Sequence, residues 1–220
     1  TGYKYGFVHD GLLEVDILTP NGEILTCTAK NEYKDLFHAL WNSYGTLGYV
    51  LRAKIKLQDI KPYVYMKNIY YNNVKSFISA METATKKQDI NFIEALIFSK
   101  KEMYLMLSHF ADDIPHKDNI YRGEVFYKLA QQKKEVYLPV KDYIFRYDPD
   151  WFWNFPETLF FKIFRIIAPM SMRNSAFYTR YINWKKKFFK EKDEGKERLI
   201  QDWEVPWKKA EEITNFALDN

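Results

Sequence analysis

Apolar and polar residues alternate along the opening of the chain. Leu13, Val15 and Ile17 are separated by Glu14 and Asp16, the period of two that marks a half-buried strand. Pro20-Asn21-Gly22 follows, and an Asn-Gly pair accepts the positive φ angles of a tight hairpin turn, so residues 23–29 are predicted to return as a second strand. The period then lengthens. Tyr33, Leu36, Phe37, Leu40 and Tyr44 recur at helical spacing, with Asn31 as the predicted N-cap, Glu32 and Asp35 near the positive end, and Gly45 at the close. After Gly48 the period of two resumes: Tyr49, Leu51, Ala53, Ile55 and Leu57 share one face, and Arg52, Lys54 and Lys56 the other. The predicted order is hairpin, helix, strand.

The texture changes at Lys61-Pro62, which divides the chain into domains 1–60 and 61–220. In the second, residues 63–71, 91–99 and 103–110 read as strands and 74–86 as a helix. Residues 111–119, with Asp112, Asp113 and Pro115, read as a loop. Aromatic-rich helical patches follow, then a charged run at 185–198 and a last helix at 207–218, just after Pro206. The class is α+β, with a sheet order that periodicity does not set.

Composition narrows the function classes. Across 220 residues, 33 Lys and Arg against 29 Asp and Glu leave a net charge of +4, too balanced for a chain held on phosphates, so no nucleic-acid partner is expected. The 17 Tyr, 17 Phe and 6 Trp exclude wholesale disorder and suit a deep core, a large flat ligand or an oily surface. Cys27, the single cysteine, excludes an internal disulfide framework and a Cys-rich zinc site. No window of ~18 uncharged apolar residues occurs. The nearest approach, residues 151–172, is interrupted by Pro156, Glu157, Lys162 and Arg165. Its Trp and Phe beside Lys and Arg suit either internal packing or a peripheral membrane contact. The chain opens at Thr1 without a signal-peptide pattern and reads as a piece of something longer; with one cysteine, a cytoplasmic site or the cytosolic face of a membrane is expected.

Few short motifs carry chemistry. Gly45-Thr46-Leu47-Gly48 runs from helix to strand, the reverse of a Rossmann phosphate loop; it reads as a helix C-cap turn or as bare main chain lying against a flat or charged ligand. His109 and His116 flank Asp112 and Asp113 without a recognised ligand spacing, so a solvated acidic turn is expected and no metal site. No G-x-S-x-G elbow is present and Cys27 has no evident base, so hydrolase chemistry has no support. The seven cations and four acids of residues 185–198 read as a solvated helix face.

Longer segments are more informative together. The opening Tyr3-Lys4-Tyr5-Gly6, then Pro20-Asn21-Gly22-Glu23, Asp35-Leu36-Phe37-His38-Ala39-Leu40 and Gly45 to Val50, resembles the second half of the FAD-binding domain of vanillyl-alcohol-oxidase-type flavoproteins. Within them the chain is most similar to the sterol Δ24-reductase (Diminuto-like) branch. Residues 91–99, 142–147 with Phe152-Trp153, and 201–206 carry that likeness through the second domain.

The resemblance implies half of an FAD domain at 1–60 and a cap or substrate domain at 61–220, incomplete at its C-terminus. It implies FAD contacts from Tyr5, Gly6, Gly45, Thr46, Leu47, Gly48, Tyr49 and Val50, with NADPH as electron source. It implies hydride transfer from flavin N5 to a carbon-carbon double bond of a sterol-like lipid, a hydrophobic small-molecule substrate. Glu94, Tyr143, Arg146 and Asp202 fall in the matched cap segments and are candidates for the proton donor, against the plainer reading of ordinary polar residues. Two other readings stand: a flavin-dependent oxidase of a sugar, polyol or lipid-linked sugar, and a non-catalytic lipid- or protein-binding piece. Oligomeric state is left open.

Overall fold

The computed structural model describes residues 3–121, 125–153, 155–188 and 203–219. The chain divides into two compact units, Thr1–Ile60 and Lys61–Asn220. Both sheets are antiparallel and carry helices packed on them, so the class is α+β.

The first unit holds strand β1 (Leu12–Leu18), strand β2 (Ile24–Cys27), helix α1 (Lys34–Ala39) and strand β3 (Tyr49–Ile55). β1 lies between β2 and β3. Its inward residues Val15 and Ile17 meet Cys27, Phe37 and Leu40 to form a small core under α1. Helix α1 is shorter than the apolar spacing predicts. Asn31 does not cap it: its Oδ1 accepts from Thr28 N (3.1 Å) and Tyr33 N (3.2 Å), an Asx-type turn that delays the first helical turn. The helix ends before Asn42, which stands at φ +63°. The predicted apolar face of β3 is also corrected. A register slip pairs Asp16 with Arg52 but Ile17 with Val50, which breaks the alternation at Leu51. All seven residues of β3 are exposed and Leu57 lies beyond its end.

The second unit is built on strands β4 (Tyr63–Tyr71), β5 (Phe92–Ser99), β6 (Glu102–Ala111) and β7 (Glu135–Pro139), in the order β5-β6-β4-β7. Helix α2 (Val74–Thr85) joins β4 to β5 and is capped by Asn73, whose side chain accepts from Ser76 N at 3.0 Å. β7 is absent from the sequence reading, which places helical patches there. It pairs with β4 through Tyr63–Lys67 and closes that edge.

Each face of this sheet is covered by different elements. On one, Met103 and Leu105 pack beneath α2 and helix α8 (Trp207–Asp219). On the other, Val64, Met66, Met106, Val136 and Leu138 meet Ile120, Phe126, Ala130 and Tyr143. The latter side chains come from the stretch that holds α3 (Leu129–Gln132) and α4 (Val140–Ile144). Beyond them, α5 (Asp150–Trp153), α6 (Leu159–Ile167) and α7 (Ser175–Phe188) gather an aromatic cluster centred on Phe152 and Phe155. No helix among the described residues is long and apolar enough to cross a membrane.

Candidate functional site

Two places gather the candidate residues, one in each unit. In the first unit, the chain between α1 and β3 turns through four residues with positive φ: Asn42 (63°), Tyr44 (51°), Gly45 (80°) and Gly48 (137°). Backbone of this kind clusters at functional sites because packing must hold it there. Gly48 is buried. A Cβ on it would stand 2.6 Å from the Leu18 carbonyl oxygen and 2.7 Å from Ile17 Cγ2, so its bareness is already required by the approach of the loop to β1. Around it, Gly45, Thr46, Leu47, Tyr49 and Val50 are exposed, and Tyr44 is 95% exposed. Tyr5 and Gly6 are exposed in the opening segment. That segment is tied to the turn after α1 by a ring stack, Phe7 on His9 and His9 on Trp41, each at 5.5 Å. Open main chain there lies beside the exposed Tyr44 and Tyr49 rings, and among the described residues β3 is paired on one edge.

In the second unit, three of the four proton-donor candidates meet in one cluster. Glu94 projects from β5, on the face that carries Phe92 and Leu96 towards the Tyr143 core. Tyr143 lies in the last turn of α4, and Arg146 and Tyr147 follow it at i+3 and i+4, where a continuing turn keeps all three on one side. Tyr143 Oη donates to Glu94 Oε1 at 3.0 Å and Tyr147 Oη donates to Glu94 Oε2 at 2.6 Å. Arg146 pairs with Oε1 through Nη2, and its guanidinium lies 4.1 Å from the Tyr143 ring centroid and 4.8 Å from that of Tyr147. Arg146 Nη1 also donates to the Tyr143 carbonyl at 2.6 Å.

This arrangement fixes protonation. Burial, then the Glu94 carboxylate, raises both phenols above the ordinary tyrosine range, so both keep their protons at neutral pH. Glu94 accepts from three donors, Tyr143, Arg146 and Tyr147. Tyr143 is closed off from solvent, whereas Tyr147 is 37% exposed. Tyr147 is therefore the more open of the two phenols, and it is not among the candidates that the sequence names. Its signal was the spacing Tyr143-Arg146-Tyr147, one helical face opposite a strand carboxylate. Asp202 lies outside the described residues.

The remaining polar candidates do not converge. Asp112 pairs with Lys61 at 2.6 Å, His109 Nδ1 lies 2.9 Å from the Asp89 carbonyl, and His116 lies 3.6 Å from Asp118. Among the described residues no three His, Cys, Asp or Glu side chains gather as a metal site. Cys27 is fully buried, and burial pushes its thiol upward.

No family model matches the chain. It is similar to the Δ24-sterol reductase of Macaca fascicularis, 25% identical over 76% of this chain and 35% of that protein. It is similar to a Δ24-sterol reductase homologue of Caenorhabditis elegans, 26% identical over 97% of this chain and 45% of that protein. Cytokinin dehydrogenase 3 of Arabidopsis thaliana is 32% identical over 43% of this chain and 18% of its own length. The chain thus spans about a third to under a half of the sterol reductase relatives. Their names are those of oxidoreductases, and the likeness to the Δ24-sterol reductase branch runs through both units of the chain.

Proposed function

We propose that the chain is part of a flavin-dependent oxidoreductase that reduces a carbon-carbon double bond in a sterol-like lipid. In this reading residues 1–60 are half of an FAD-binding domain and 61–220 a substrate domain. The exposed main chain at Gly45, Thr46, Leu47, Tyr49 and Val50, with Tyr5 and Gly6, would hold the cofactor, while Gly48, buried against β1, would set the course of the loop. When bound and reduced, by NADPH in this reading, FAD supplies a hydride. The chain's own contribution is the proton that completes the reduction. Tyr147 would turn its Oη proton from Glu94 to the substrate carbon, be left as a phenolate beside the Arg146 cation, and take a proton back from water; Glu94 and Arg146 hold the ring in place.

The observation that carries this reading is the meeting of Glu94, Tyr143 and Arg146 in one hydrogen-bonded group that includes a partly open, protonated phenol. Tyr147→Phe in the protein that carries this chain tests it. Turnover at saturating sterol is expected to fall by about a hundredfold or more, with flavin absorbance on adding FAD unchanged. Unchanged turnover would remove Tyr147 from the chemistry. A second reading, flavin-dependent oxidation, is favoured by the similarity to a cytokinin dehydrogenase. Flavin bleached by a sugar or polyol but not reoxidised by an unsaturated sterol would select it. A protein that takes up no flavin at all leaves only the non-catalytic reading.

A further inference from the structure

Helix α6 is apolar on both sides and half-buried on one. Phe161, Phe164 and Ala168 at its inner side join the aromatic cluster against α7, where Phe164 stacks on Phe177 and Phe161 meets Tyr181. Arg165, on the same side, donates to Glu157 and to the carbonyls of Trp153 and Phe155. The opposite side is Leu159, Phe160, Ile163, Ile166 and Ile167, each more than half exposed. Those positions fall within one arc of the helix, and none of the five side chains carries a hydrogen-bonding group. An isolated exposed leucine needs no explanation, but a contiguous helix face of this kind does.

The charge around this face is one-sided. Residues 155–188 contain seven Lys and Arg but a single acid, Glu157, in a chain whose whole net charge is +4. Glu157 is held by Arg165, and Arg173 is buried. That leaves Lys162 on α6 itself and Arg180, Lys185, Lys186 and Lys187 on the neighbouring α7 reaching solvent. The aromatic ladder Tyr181-Trp184-Phe188 continues along α7 past the start of α6, and Trp184 and Phe188 are more than half exposed. Exposed aliphatic and aromatic side chains on a segment rich in Lys and Arg are the chemistry of an interfacial helix. At nine residues, about 13 Å, α6 lies along such a surface and does not traverse it.

We propose that α6 and the lysine-rich end of α7 form a docking surface for an anionic lipid bilayer. Leu159, Phe160, Ile163, Ile166 and Ile167 would enter the boundary between headgroups and acyl chains while the lysines meet lipid phosphates. A protein partner is the lesser reading, because a specific protein interface carries hydrogen bonds that this face cannot make. The proposal does not rest on the redox reading, since it is measured without turnover.

Co-sedimentation of the 220-residue chain with vesicles tests it. With phosphatidylcholine-phosphatidylserine vesicles the chain is expected to pellet, less so as salt rises, and to stay largely soluble with phosphatidylcholine alone. Ile163→Ser combined with Ile167→Ser is expected to weaken binding at least tenfold with an unchanged circular dichroism spectrum. Independently, Lys186→Ala and Lys187→Ala are each expected to weaken it about fivefold. Failure to bind either vesicle would overturn the proposal. So would equal binding by the isoleucine variant, or light scattering that shows two copies joined through this face in place of vesicle binding.

Discussion

Gly48 and Tyr44 make opposite demands on a side chain although both stand at positive φ. At Gly48 the obstacle is backbone, the Leu18 carbonyl, which cannot move without opening β1. Gly48→Ala is expected to destabilise the first unit by about 2–4 kcal/mol, read by urea unfolding. Tyr44 carries its ring almost wholly in water, so Tyr44→Gly forfeits no packing and relieves a conformation that costs about 1 kcal/mol; stability is expected to hold or rise. In the second unit, Glu94→Gln places an amide where three donors converge and leaves the Arg146 cation without its carboxylate. A loss of about 2–3 kcal/mol is expected in the same assay. Asp150 supplies a pH signature. Burial raises its carboxyl to about 6, outweighing the hydrogen bond it accepts from Phe126 N. The unfolded chain releases that proton near pH ~4. The protonated form therefore favours the folded state; this contribution is complete below about pH 4 and is lost as pH rises to about 6. Melting temperatures measured across that window should show a decline that Asp150→Asn flattens. At this scale the resemblance names Glu94, Tyr143 and Arg146; Tyr147, in the same matched segment, joins them through its hydrogen bond to Glu94, a contact across 53 residues that spacing alone does not reveal.

Elements were legible where period and punctuation agreed. β4 runs over Tyr63–Tyr71 as its alternation predicts, and α2 starts behind Asn73 and ends within a residue of expectation. Elements failed where a local hydrogen bond or a distant partner decided. The Asn31 turn shortens α1. β7 has only Val136 and Leu138 as inward positions, too few to show a period, and is a strand because β4 offers it an edge. β3 is legible as a strand but not as an exposed one. Its single paired edge and wholly exposed residues make it a template for association. Leu51→Lys with Ile55→Lys is expected to reduce concentration-dependent light scattering without lowering the melting temperature, since neither side chain packs in the core.

At the scale of the molecule, charge and apolar surface are unevenly shared. Residues 155–188 carry an excess of six positive charges, so the rest of the chain is net negative by two. A balanced total hid that division, and whole-chain composition could only speak of an oily surface without locating it. The paired strands of the second unit differ in another way. Met103 reaches Tyr71 across one helix and one hairpin, whereas Leu138 reaches Val64 only after the entire β6 strand and the long stretch behind it. Loop closure over that span is slow compared with hairpin zipping, so β4, β5 and β6 should assemble first and β7 last. During refolding from denaturant, the Val64–Lys67 edge would then stand open for a measurable interval, and yield should fall as protein concentration rises, most steeply in that interval.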